Sequence, residues 1–213
     1  MNRLQTQFPL RRGAHSLRSD GMCAMEMVAW LAGEAHSDGP QCTSPVLAAY
    51  VRAVNDALPS DAWRERLLRP LVPQLIHTRG DARTERQLGF CVVRFMVNEF
   101  VPFVLDAQGL CATAMRLRSL APVVDAATAA AMVQKFDLLA IRQPAARWVL
   151  LRASEGMSAE RFAGTAVQVL KAAGGADAFR MLLRVATELA RAGNTSGQLK
   201  GSVDGPIASA IRL

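Results

Sequence analysis

Helix punctuation is the feature that most restricts what this chain can fold into. Helix starts recur along it, at Ser44 followed by Pro45, and at Ser60, Asp81, Asp125, Pro144 and Ser158. A Ser or Asp side chain satisfies the open amides of a first helical turn. Proline suits the first helical position because an N–H there would have no partner. Pro59, Pro70, Pro122, Gly156, Gly174 and Gly193 stand where stops are needed. Between these marks apolar residues return at helical spacing, as Val46, Tyr50, Val54 and Leu58 do, and no alternating strand pattern competes.

The punctuation predicts helices over 21–33, 45–58, 61–69, 81–106 (kinked at Pro102), 110–120, 125–141, 144–155, 158–174 and 176–192. Ser19 or Asp20 is the expected cap of the first. The fold class is therefore all-α, a compact multi-helix bundle of about eight helices. Residues 1–19 form an irregular N-terminal arm and 194–213 a C-terminal tail. A soft boundary near Pro122 separates an N-terminal helical region, 1–122, from a second, 123–193, packed on it as one domain. Hydrophobic residues make up 51% of the chain, enough for a real core.

The formal net charge is +7, carried almost wholly by arginine, since lysine occurs only at 135, 171 and 200. That balance admits a nucleic-acid partner, but no dense basic cluster with interleaved aromatics supports one. Residues 1–19 lack the apolar stretch of a secretory leader, so Cys23, Cys42, Cys91 and Cys111 are expected as reduced thiols in a cytoplasmic protein. No membrane span is expected, because Arg94 interrupts the longest apolar run.

The stretch DGMCAMEMVAWLAGEAHSDGPQC, from Asp20 to Cys42, stands above this background. Between Gly21 and Gly33 the only charged residue is Glu26, on a helix apolar almost all round and hence buried almost all round. A buried carboxylate has to be paired, hydrogen-bonded, protonated or bound to a cation. Cys23 projects from the same face one turn earlier. His15 precedes the helix, and His36, Asp38 and Cys42 follow it. Cys, His and carboxylate are the donors that zinc or iron take, so Cys23, Glu26, His36, Cys42 and His15 are a candidate metal set.

Two other readings stand beside the metal. In one, Cys23 near a helix N-terminus is a nucleophile, His36 its base, and Asp38 or Glu26 the group that orients the base. In the other, Glu26 is a structural ion pair within an interaction module. Its partner would come from the polar stripe Gln87, Cys91, Arg94 and Asn98, with Arg94 the preferred cation; Arg52 and loop amides near Ser37 and Asp38 are the alternatives. The chain is thus read as a soluble binding or interaction protein, with a protein or a second copy of itself as partner.

Residues 13–78 resemble an uncharacterised family of bacterial and phage-encoded proteins. The similarity rests on a histidine (His15) shortly before a DGxCxMExVAWLAGE block, then SDxPxC, then a proline-started helix ending in Asn55-Asp56. Some similar sequences carry a histidine between the Asp and the Pro, where this chain has Gly39. The resemblance implies no activity.

Overall fold

The computed structural model describes residues 8–134, 141–154, 157–171 and 176–201. The described residues form an all-α bundle: α1 (Ala24–Leu31), α2 (Pro45–Ala57), α3 (Asp61–Trp63), α4 (Ala82–Phe95), α5 (Val101–Ala107), α6 (Cys111–Ser119), α7 (Ala126–Gln134), α8 (Pro144–Ser154), α9 (Ala159–Lys171) and α10 (Ala176–Gly201). A π-turn over Arg64–Leu68 prolongs α3, and another over Met96–Phe100 joins α4 to α5.

Ser44 caps α2 by accepting from the Leu47 amide, Ser60 caps α3, and Asp81 caps α4 by accepting from Thr84. Pro102 lies in the first turn of α5, where a regular helix would drive its ring into the carbonyl four residues back. The π-turn just before it widens the helix, with the Val101 amide reaching back to the Met96 carbonyl. The kink expected at Pro102 is thus met by an extra residue in the preceding turn.

α2 is the central element, and it packs on α1, α4, α9 and α10. Its expected inner face, Val46, Tyr50, Val54 and Leu58, is buried. The Tyr50 hydroxyl donates to the Leu182 carbonyl of α10 at 2.9 Å, which satisfies the one polar atom on that face. One core cluster runs from Met25 through Val97, Leu117 and Val149 to Leu189, across the boundary near Pro122. The Ala82–Ala107 helix is long and apolar enough to cross a membrane, but 61% of its most apolar window is buried inside the protein.

Two expectations change. The first helix starts at Ala24 with Cys23 as its cap, because residues 18–20 form a separate short 3₁₀ turn and Gly21 takes φ +106. The last helix does not stop at Gly193 but continues to Gly201. Gly193 is there for space: a Cβ would sit 2.9 Å from the Thr78 Cβ and 3.0 Å from the Thr78 carbonyl oxygen. Asn194 then donates to the Gln74 carbonyl at 2.8 Å, so the first residue of the expected tail is tied to the bundle. The expected helix ends near 141, 156 and 174, arm residues 1–7 and tail residues 202–213 fall outside the described residues or border on the gaps.

Candidate functional site

Glu26 is 1% exposed, and both of its oxygens are engaged by its own chain. One carboxylate oxygen accepts from the His15 amide at 2.6 Å. The other accepts from the Cys23 amide at 2.7 Å and lies 3.0 Å from His15 Nδ1. In return the Glu26 amide donates to Cys23 Sγ at 3.4 Å, completing a capping box in which cysteine replaces the usual serine or threonine. Burial pushes the Glu26 carboxyl up, but the His15 and Cys23 amides and the His15 ring outweigh it and hold it below the ordinary range. With the carboxylate ionised, His15 Nδ1 is the donor.

His36 closes the arrangement from the loop after α1. Its Nε2 donates to the His15 carbonyl at 2.8 Å and lies 3.8 Å from Glu26, while its buried Nδ1 has no partner among the described residues. The sequence placed His15, Cys23, Glu26 and His36 together, and the structure brings them together. Cys42 does not join them. Its amide donates to Glu34 Oε1 at 2.7 Å, and its thiol lies 3.8 Å from the Thr43 hydroxyl.

The donor set gives the metal expectation no support. Among the described residues no three His, Cys, Asp or Glu side chains converge as a cation site. Glu26 turns both oxygens to N–H donors, and Cys23 turns its sulfur to an amide. Cys23, the expected nucleophile, is not poised as a thiolate. Cys23 is 3% exposed, and burial pushes its thiol up to about 12, against the weaker lowering by the Glu26 amide.

The ion-pair expectation is corrected as well. Arg94 is exposed on α4 and does not meet Glu26. Asn98 is turned elsewhere, accepting from the Val123 amide at 3.3 Å. Arg52 serves Asp38: it donates to the Asp38 carbonyl at 2.7 Å and stands 3.9 Å from its carboxylate. Of the alternatives offered for Glu26, backbone amides were the right class, but they come from the arm and the helix start rather than from the Ser37–Asp38 loop.

Around this centre lies a set of side chains that grip backbone. Glu34 accepts from the Gln41 and Cys42 amides at 2.6 and 2.7 Å, closing the loop between α1 and α2. Asn55 accepts from the Ala24 amide and donates to the Arg11 carbonyl, and Asp56 accepts from Gly13. Glu65 accepts from the Leu10 amide at 2.6 Å, and Arg69 donates to the Phe8 carbonyl at 2.7 Å and pairs with Glu65. Leu10 and Met22 form an isolated parallel bridge, and Phe8 packs edge-on against Trp30 at 5.3 Å. Gly21 fits because a Cβ there would strike the Arg11 side chain. The arm is thus laced to α1, α2 and the turn after α3. Glu65 and the buried Arg69 went unnoticed in the sequence: their i,i+4 spacing marks them as a pair, but the arm backbone atoms they also hold, the Leu10 amide and the Phe8 carbonyl, carry no residue signature.

No family model, curated protein or solved structure matches this chain.

Proposed function

We propose that this protein acts by binding rather than by catalysis, and that the Asp20–Cys42 motif is a clasp that fixes the arm to the bundle. The observation behind this reading is that both oxygens of Glu26 are already engaged by three N–H donors of the same chain. A catalytic acid, base or metal ligand needs an unused lone pair or an exchangeable proton directed at a substrate. Main-chain gripping by Glu34, Asn55, Asp56 and Glu65 extends the same role to neighbouring residues. We place the chain with the uncharacterised bacterial and phage-encoded proteins that share the motif, as a cytoplasmic interaction protein, because the motif residues have structural work that any such relative would need.

Two measurements on purified protein test this together. Timed alkylation with iodoacetamide at neutral pH should label the exposed Cys111 at least tenfold faster than Cys23. Elemental analysis should find zinc and iron well below one per chain, with no change in Cys23→Ser. Rapid Cys23 labelling, or stoichiometric metal lost in that variant, overturns the reading.

A further inference from the structure

The polar stripe of α4 has a use apart from the clasp. Gln87, Cys91 and Arg94 lie along a groove of about 400 Å³. Leu88 and Phe90 add apolar surface from the same helix, and Val123, Val124 and Ala192 of α10 complete the walls. Val124 is 59% exposed there. Arg94 makes no ion pair or side-chain hydrogen bond with the described residues. By contrast, the arginines of the groove beside α5 and α10 are neutralised: Arg118 by Asp106, Arg184 by Glu99 and Arg180 by Asp177.

A guanidinium without a carboxylate, set in an apolar groove, is complementary to a planar anion attached to an apolar body. We propose that this groove binds a small free carboxylate amphiphile, its head on Arg94 and its chain along α4 toward Gln87. Gln87 and Arg94 are two helical turns apart, about 10 Å along the axis, close to the length of extended octanoate. The volume falls in the range of small-molecule sites rather than of extended protein interfaces. Cys91 lies between the two ends, under the chain of such a ligand.

This proposal rests on the reading of the protein as a binder, and Cys91 provides a readout separate from Cys23. The test is iodoacetamide labelling of the full chain, resolved by mass spectrometry, with octanoate, octanol or acetate at millimolar concentration. Octanoate should slow Cys91 labelling at least fivefold and leave the exposed Cys111 unchanged, while octanol and acetate should have less than half that effect. Arg94→Met, which alters an exposed side chain with no partner to strand, should raise the octanoate concentration for half-protection at least tenfold. Equal protection by octanol, undiminished protection in Arg94→Met, or no protection by octanoate overturns the proposal. Protection by a peptide with a free C-terminal carboxylate, where octanoate gives none, overturns it in favour of a protein terminus. None of these results bears on Cys23, so the clasp reading stands or falls separately.

Discussion

Replacing Glu26 with Gln changes one atom's chemistry and almost none of its shape. In the native protein two carboxylate oxygens face three N–H donors: His15 N, Cys23 N and His15 Nδ1. An amide has one oxygen, so one oxygen position becomes an NH₂ group. If the NH₂ faces the helix start, the Cys23 amide is orphaned, although the His15 ring can change tautomer and accept. If it faces the arm, the His15 amide is orphaned. Either way one buried backbone donor loses its partner, at about 1–3 kcal/mol, and the surviving bonds lose their charge assistance, about 1 kcal/mol more. The expected loss is therefore about 2–4 kcal/mol. With a urea slope of roughly 2–3 kcal/mol per molar, the denaturation midpoint should fall by about 1 M. Native-state hydrogen exchange should show the His15 and Cys23 amides among the most accelerated.

The same substitution has a pH signature. The folded carboxyl titrates below its ordinary value, so its contribution is present above the unfolded pKa of about 4.3 and is lost as pH falls through the folded value. The stability gap between wild type and Glu26→Gln should accordingly be full at pH 6–7 and shrink below about pH 4. A midpoint shifted by less than about 0.3 M, or a gap that does not change in acid, would refute the account of Glu26 as an ionised clasp.

Cys23 acts as a helix cap, so Cys23→Ser should keep the cap and Cys23→Ala should lose it; thermal denaturation should place the alanine variant about 1 kcal/mol below the serine one. An alanine variant as stable as the serine variant would mean that the sulfur contact contributes nothing. Gly193→Ala should destabilise the protein, although alanine is the better helix former by about 1 kcal/mol, because the new methyl meets Thr78 Cβ and its carbonyl oxygen. A raised melting temperature in that variant would show that the α10–Thr78 approach is looser than described.

Helix existence was legible because it depends on local chemistry. Ser44, Ser60 and Asp81 cap the helices they were expected to cap, since a capping side chain needs only the next three residues to act. The burial of Glu26 was legible for a related reason: an apolar surround on its own helix dictates it. The identity of its partners was not. Arg94 offered the right charge at helical spacing, but spacing along α4 does not tell which neighbour that face meets. His15 and Cys23 contribute main-chain amides, which every residue except proline possesses and no residue type advertises. Gly193 was misread for a similar reason. A glycine that ends a helix and one that admits a close neighbour look alike until the neighbour, Thr78, is placed.

The lacing of the arm also sets an order of events along the folding chain. Leu10 waits for Glu65, Phe8 for Arg69, Gly13 for Asp56, and Arg11 for Asn55, separations of 55, 61, 43 and 44 residues. Loops of that length close at an entropic cost that only a formed surface can offset. During synthesis the arm therefore emerges before the residues it binds and docks only once α2 and the turn beyond α3 are present. Its release exposes the Glu26 carboxylate and the buried arginine at position 69 to water, adding two ionised groups to a surface on which Arg11 and Arg12 are already exposed.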